Sequence, residues 1–431
     1  MPRTLADWLV YQERIHPRSI ELGLDRMRTV WQRMGSPSPG RRVITVGGTN
    51  GKGSTVALLE AMLHAAGRRV GCFTSPHLTR YNERVRIAGT DVGDEALVAS
   101  FERIEEARGG DRPDAIELTF FEFGALAAFD LFSRADLDVA VLEVGLGGRL
   151  DAVNIIDADA AVITTIDLDH MEWLGPDRDS IGREKAGIAR AGRPAIVGEP
   201  DPPQGLLDAL TAIGASTQRA GRDFQADRHA RGWRWQHRDG TGFDLPDPAL
   251  AAPVQYANAA AAIAALHALD AASQFAVPIA LGTAAADGLR AVRVRARLQP
   301  LGGVPPVVVD VAHNPQAARA LAEWLDGEPA GTVRAVYGAL SDKDVAGVIA
   351  ALGPRIAHWH LAGLDRETPR GLPPSALAQA LQQTLPEAPF DAHPDVAQAL
   401  AAARAQARPG DRILAFGSFF VAAVVLADAR A

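Results

Sequence analysis

The sequence is almost without cysteine. Cys72 is the only one in 431 residues, which excludes a disulfide framework or a thiolate zinc cluster within the chain. A buried, inert thiol is the plain reading. There is no basic excess: 44 Lys and Arg against 52 Asp and Glu give a formal charge of −8. Nucleic acid would need a basic stripe, and the chain has none, so no nucleic-acid partner is expected. An anionic substrate must then be gripped by local positive groups against the overall field. No apolar run is long enough for a bilayer: Phe419 to Leu426 falls far short of the ~20 residues required. Met1 to Trp8 lacks the basic-then-apolar order of a signal peptide. A cytoplasmic protein with no membrane partner is the expectation. Internal repeats are absent, and the alanine-rich stretch 395 to 407 reads as helix rather than as low-complexity linker. What remains is ordinary globular composition, 47% apolar and 22% charged, in a chain long enough for roughly two or three domains.

The first forty residues read as helical, up to the breaker Ser36-Pro37-Ser38-Pro39-Gly40. Arg41 to Val46 is a short β-branched run followed by a glycine-rich loop. Thr55 to Ala66 has helical spacing and stops at Gly67, and Arg69 to Phe73 is a second strand ending at Thr74-Ser75-Pro76-His77. Strand, loop, helix, strand opens a parallel α/β sheet. Leu137 to Val144 and Ala160 to Ile166 are apolar runs of the kind buried on both faces. Ligands gather at the carboxyl ends of such strands, so three strand ends carry candidate chemistry. Residues 222 to 250, with Trp233, Trp235 and many charges, read as an antiparallel hairpin or an exposed insert. Asn258 to Leu269 is an alanine-rich helix. A second α/β unit begins near Val307, with strands Val307 to Val311, Val333 to Tyr337, Ala357 to Leu361 and Arg412 to Ala415. The boundary falls near 285 to 297.

The loop Gly48-Thr49-Asn50-Gly51-Lys52-Gly53-Ser54 is built to hold phosphate. Glycines let backbone N–H groups converge on phosphate oxygens, and the following helix adds its positive N-terminal end. Lys52 would span the outer phosphates of ATP, and Ser54 would ligate Mg2+. The general pattern G-x-x-x-x-G-K-[ST] is matched imperfectly, because Val46 replaces the first glycine and Gly53 precedes the hydroxyl. A glycine turn with no ligand is the plainer alternative.

Glu143 closes a buried strand, where a carboxylate needs a partner. That partner is either magnesium or a cap or ion pair such as Arg149. Ser75 is a second hydroxyl ligand or simply the start of a Ser-Pro turn. His170 follows two acids, Asp167 and Asp169, and reads equally as structural or functional. Lys185, in Gly182-Arg183-Glu184-Lys185-Ala186-Gly187, reads on its own as a helix-surface lysine. In Val309-Asp310-Val311-Ala312-His313-Asn314-Pro315, Asp310 could accept from ribose hydroxyls and His313 could reach phosphate or an intermediate.

Five motifs in order resemble the folylpolyglutamate synthase family: the loop above, Thr74 to Leu78, Glu143 to Asn154, Ile181 to Gly187 and Asp310 to Pro315. The likeness runs from about Leu5 to Val425 and is strongest to bifunctional bacterial members that also make dihydrofolate. Gly53 is itself a family trait. The resemblance implies an α/β fold: a P-loop-containing N-terminal domain with a mostly parallel sheet flanked by helices (1–290), plus a smaller Rossmann-like C-terminal domain (291–431). It implies ATP-dependent ligation of L-glutamate to dihydropteroate and reduced folates through an acyl phosphate, by a monomer serving folate and one-carbon metabolism. ATP would touch Thr49, Asn50, Gly51, Lys52, Gly53, Ser54, Asn258, Arg297 and Asp310. Metal would be held by Ser54, Ser75 and Glu143, and a second ion by Glu143, His170 and Lys185. Lysine at this position is carbamylated in relatives, which reverses the bland reading of Lys185. Lys52, Lys185 and His313 would be the catalytic groups. The pterin pocket is similar to Glu21-Leu22-Gly23-Leu24, Thr119-Phe120-Phe121-Glu122 and Leu150-Asp151-Ala152. Two departures stand out: Glu21 where relatives often have aspartate, and Ala296-Arg297-Leu298 for the usual Gly-Arg-Phe.

Two other readings compete. A peptidoglycan-precursor amino acid ligase of the same superfamily usually carries an extra N-terminal domain, for which 47 residues before Gly48 leave no room. An ATP-binding module that does not ligate would not need two substrate-facing motifs and a second domain.

Overall fold

A computed structural model describes residues 2–16, 20–110, 112–272, 278–329 and 331–429. The chain forms two compact units. One comprises Met1–Ala249 with Tyr256–Val292, and the other Leu250–Gln255 with Arg293–Ala431.

The first unit is built on an eight-stranded sheet. Its strands are β1 (Arg42–Gly47), β2 (Val70–Phe73), β3 (Val85–Ile87), β4 (Thr90–Asp91), β5 (Val139–Glu143), β6 (Ala160–Ile163), β7 (Pro194–Val197) and β8 (Ser216–Arg219). They lie in the order β4-β3-β2-β5-β1-β6-β7-β8. Neighbours from β2 to β8 in this order pair parallel, and at one edge β3 pairs antiparallel with both β2 and β4. The central strands are apolar throughout because helices cover both faces, so alternation has nothing to mark. The register aligns their carboxyl ends: Val46 pairs with Glu143, Phe73 with Leu142 and Gly47 with Ile163. The loops after β1, β2, β5 and β6 therefore leave one edge of the sheet together. These strands end earlier than the apolar runs suggest, β5 at Glu143 and β6 at Ile163, which frees the following polar residues for loops.

Two helices, Leu5–Ile15 and Asp25–Arg33, replace the single helical stretch expected at the start, and Glu21 to Leu24 lead into the second. They pack on helices Asp94–Arg108 and Phe120–Ser133. Trp8 is fully buried there, its ring 5.8 Å from Phe101 and 6.2 Å from Phe123.

Strands β9 (Phe224–His229), β10 (Gly232–His237) and β11 (Gly242–Leu245) form a separate antiparallel sheet. The hairpin expected here is present, but it is not an exposed insert. Trp233 and Trp235 are both fully buried, and the Trp235 indole donates to the Ala260 carbonyl at 3.2 Å on the alanine-rich helix Gln255–Ala271. The charges that suggest exposure, such as Arg234, alternate onto the opposite face. Cys72 is buried in β2 as expected, and burial pushes its thiol well above the usual range.

The second unit holds a six-stranded sheet of β12 (Gln299–Pro300), β13 (Val307–Val309), β14 (Val333–Tyr337), β15 (His358–Ala362), β16 (Phe390–His393) and β17 (Arg412–Phe416). Its order is β12-β13-β17-β14-β15-β16, parallel except for β12. Tyr337, Trp359 and Phe416 lie at its core. Among the described residues no helix is long and apolar enough to cross a membrane.

Candidate active site

The phosphate loop links β1 to the helix Lys52–Ala65, whose N-cap is Gly51. Gly48 and Gly51 have φ of +146° and +85°, values that glycine alone adopts without penalty. A side chain at Gly48 would collide with the Thr164 hydroxyl, and one at Gly51 would meet Asn258 Oδ1 at 2.6 Å. Asn258 is thus placed against the loop within the first unit. The two threonines after β6 clamp the loop from the other side. Thr49 N donates to Thr165 O at 2.8 Å, Asn50 N to Thr165 Oγ1 at 3.1 Å, and Thr164 Oγ1 to Asn50 O at 2.5 Å. Thr49 Oγ1 and the backbone of Asp167 exchange hydrogen bonds at 3.1 Å. Thr164 and Thr165 escaped the sequence reading, although they close the same apolar run that leads into Asp167, Asp169 and His170.

Glu143 is 96% buried at the end of β5. Its carboxylate accepts from Ser75 N at 3.0 Å and lies 3.6 Å from where a Cβ of Gly53 would stand. Ser54, Ser75 and Glu143 therefore converge at the helix start. The alternative partner for Glu143, Arg149, is engaged elsewhere: its guanidinium pairs with Glu184 at 2.9 Å. Hydroxyl and carboxylate oxygens are the donor set that Mg2+ takes, and the residues present fit that ion.

Lys185 corrects the surface reading outright. It lies on the helix Arg178–Ala186 but is only 4% exposed, and its ammonium donates to the Gly48 carbonyl at 3.0 Å. Lys52 Nζ donates to the same oxygen at 3.0 Å and to Thr49 O at 3.1 Å. Two lysines thus crowd one carbonyl. Burial first, and then the Lys52 charge, push Lys185 down to about 7. His170 is half-buried, with φ of +52°, at the N-cap of the short helix Met171–Leu174. Its Nε2 is 3.9 Å from Asp169 Oδ1. Strand β6 stops seven residues before it.

The pterin-pocket motifs also meet. Gly23 N donates to Leu150 O at 3.3 Å. Arg26 bridges Glu21 Oε1 at 2.8 Å and Glu122 Oε1 at 3.0 Å, and Glu122 forms a capping box with Thr119. Half-buried Phe120 and Phe121 continue this wall, with Phe121 5.7 Å from Phe73. Arg84 is buried with its guanidinium 5.3 Å from the Phe120 ring and its Nε donating to His77 Nδ1 at 2.9 Å. Asp151 accepts from Leu146 N and Val153 N, and burial pushes it up to about 6. Leu22, Leu24 and Ala152 belong to the same segments. Sequence reasoning missed Arg26, whose partner Glu122 lies 96 residues away along the chain, and Arg84, which joins His77 to the Phe120 ring of another motif.

Arg297, Asp310 and His313 belong to the second unit. Asp310 is buried and accepts from Leu298 N at 2.8 Å and Ala312 N at 2.7 Å; burial raises it and the Arg297 charge opposes this. His313 Nδ1 is 2.9 Å from Val311 O. Ala296 and Leu298 both sit at positive φ, +55° and +44°. Ala296 therefore occupies, as alanine, a conformation that suits glycine.

Comparison with known proteins bears directly on this arrangement. Residues 46–266 match the model of the Mur ligase middle domain, and residues 296–419 that of the Mur ligase glutamate ligase domain. The dihydrofolate synthase/folylpolyglutamate synthase of Escherichia coli K12 is 46% identical over 99% of this chain and 96% of its own length. A solved structure of E. coli FolC in complex with DHPP and ADP is 44% identical, with a TM-score of 0.91 and full coverage of both chains. A bifunctional folylpolyglutamate synthase/dihydrofolate synthase with Mn, AMPPNP and L-glutamate bound is also 44% identical, with a TM-score of 0.88 over 100% of this chain and 98% of that one. The chain belongs to the dihydrofolate synthase/folylpolyglutamate synthase family of Mur-type ligases.

Proposed function

We propose that this protein joins L-glutamate to dihydropteroate, giving dihydrofolate, and to the γ-carboxyl of reduced folates, at the expense of ATP. The observation that carries the reading is the meeting of a phosphate loop with a buried carboxylate, Glu143, and a depressed lysine, Lys185, on one sheet edge. A generic nucleotide site has no use for that lysine. Family membership and the relatives' complexes with nucleotide, Mn and L-glutamate support the same chemistry.

A carboxylate is a poor acyl donor because oxide leaves badly. Transfer of the γ-phosphoryl group of ATP gives an acyl phosphate. The glutamate amine attacks it, and the tetrahedral intermediate collapses to amide and phosphate. Gly51, Gly53 and the start of the helix Lys52–Ala65 offer N–H groups to the phosphates, while Thr49 and Asn50, whose own N–H groups are held by Thr165, are assigned to ATP as the body of the loop. Lys52 supplies positive charge where negative charge develops. Ser54, Ser75 and Glu143 would hold one Mg2+, and Glu143, His170 and Lys185 a second. Bound magnesium would neutralise phosphate charge. Asn258, Arg297 and Asp310 are assigned to the rest of ATP, and His313 to the intermediate. Glu21 to Leu24, Thr119 to Glu122 and Leu150 to Ala152 are assigned to the pterin. In this scheme residues 1–290 bind ATP and folate and 291–431 serve glutamate, in a cytoplasmic monomer.

Carbamylation of Lys185 fits its surroundings. Attack on CO2 needs a neutral amine, which burial beside Lys52 provides near pH 7. The product exchanges a repelled cation for a metal-binding anion. The test of the whole site is mutational. Lys52→Ala and Glu143→Ala should each abolish ATP-dependent ligation of radiolabelled glutamate while circular dichroism stays native. Product formation at the parent rate by either variant would refute the assignment.

A further inference from the structure

Among the described residues, two groups of imidazole and carboxylate lie outside the site above. In the first, His237 Nδ1 and His267 Nε2 both face Asp239 Oδ2, at 3.0 Å and 3.2 Å. Their far nitrogens, His237 Nε2 and His267 Nδ1, are buried without a hydrogen-bond partner. Metal on the near nitrogens would force protons onto the far ones, with nothing to accept them. That group is a hydrogen-bonded clip between sheet and helix.

The second group has the opposite arrangement. His358 and His360 alternate with Trp359 on β15, and Asp391 and His393 alternate with Ala392 on β16. Side chains two apart on a strand share a face. The parallel register pairs His360 with Asp391, so all four groups stand on one face at the edge of the sheet. His358 Nε2 is 3.1 Å from Asp391 Oδ2, and His360 Nδ1 is 3.4 Å from His393 Nε2. The His358 and His360 ring centres are 4.8 Å apart. One donor atom each from His358, His360 and Asp391 lies within 4.8 Å of the other two.

The protonation pattern points the same way. His360 is fully buried and its Nε2 has no partner. A proton there would be an orphaned donor, so the proton belongs on Nδ1, where His393 Nε2 accepts it. The ring is left with a bare Nε2 lone pair. An N–H held by a supporting group and a free lone pair on the other nitrogen is the tautomer of a metal ligand. Gln406 Nε2 steadies Asp391 Oδ2 at 2.8 Å. The cation on the neighbouring strand, Arg334, is engaged by Asp411 at 2.8 Å.

We propose that His358, His360 and Asp391 form a site for a divalent transition metal of the Zn2+ class, with His393 as the residue that fixes the ligating tautomer of His360. Two imidazoles and one carboxylate leave a fourth position for water in a tetrahedral shell. Imidazole ligands favour zinc, copper or nickel over magnesium, so the site is chemically distinct from the oxygen-rich one at Glu143. Its consequence would be mechanical: the ion ties the edge strand β16 to β15.

The experiment uses the full chain, stripped with chelator and then held in excess Mg2+ so that the oxygen-rich site is filled. Titration with Zn2+ alone, followed by calorimetry, should show one equivalent bound. Co2+ in its place should give the intense visible absorption of a tetrahedral ion. Asp391→Asn and His358→Gln, both at partly exposed positions, should weaken Zn2+ binding by roughly tenfold or more and leave Mg2+-dependent ligation unchanged. His393→Ala should weaken binding without removing the cobalt spectrum. His360→Ala tests the central ligand, and the two surface variants keep the test valid if it fails to fold. Absence of Zn2+ binding in excess Mg2+, or unaltered affinity in both Asp391→Asn and His358→Gln, would overturn the proposal. Loss of the equivalent in Asp239→Asn instead would assign it to the other cluster and equally overturn it.

Discussion

Stripping dissolved CO2 is expected to inactivate this enzyme, and Lys185 is the reason. Its ammonium is buried and shares the Gly48 carbonyl with Lys52, each at 3.0 Å. The shift from 10.5 to about 7 corresponds to roughly 5 kcal/mol against the charged form, at about 1.4 kcal/mol per unit. At pH 7 about half the amine is neutral, against roughly one part in 3,000 for an ordinary lysine, so the nucleophile for CO2 is enriched about a thousandfold. Ligation measured in CO2-free buffer should fall at least about tenfold and recover on adding bicarbonate, as expected when a buried charge changes sign. With 13C-bicarbonate a carbamate resonance should appear, and it should be missing in Lys185→Met. The unmodified amine has a second signature. Between pH 7 and 10.5 the unfolded chain carries the proton and the folded chain has lost it, so stability rises with pH across that window. In CO2-free buffer the rise contributed by Lys185 is about 4 kcal/mol, and Lys185→Met should abolish it in denaturant titrations. Activity indifferent to CO2, with no carbamate signal, would refute the reasoning.

Other substitutions test the packing. Ala296→Gly should leave the second unit within about 1 kcal/mol of its parent stability, because relief of left-handed strain is offset by the entropy that glycine costs and by the loss of a fully buried methyl; a loss above about 2 kcal/mol in urea would contradict strain at the φ of +55°. Trp235→Ala should cost roughly 3–5 kcal/mol, read by chemical denaturation, because the ring is fully buried and its N–H is bonded to Ala260 O. An exposed insert would lose no more than about 0.5 kcal/mol.

The sheet of the first unit was legible because parallel strands buried on both faces leave unbroken apolar runs, and because each such run ended in polar groups. Glu143 could be picked out on that basis alone. Lys185 could not: its helix shows ordinary spacing, and the Gly48 carbonyl that receives it lies 137 residues away. Only family resemblance marked it. Of the two readings of residues 222 to 250, the antiparallel hairpin held and the exposed insert failed, for a different reason. Charges on one face of a strand say nothing about the other, and Trp233 and Trp235 share the face opposite Arg234. Arg26 was invisible because its meaning depends on Glu122, 96 residues away. The His358–Asp391 pairing has the same character, since it exists only once β15 and β16 are in register.

Steady-state release of ADP tests the central claim most directly. With ATP and Mg2+ present, turnover should require both L-glutamate and a pterin acid, dihydropteroate or a reduced folate, and should match amide formation one for one. ADP release at an undiminished rate with either co-substrate omitted would contradict the ligase account.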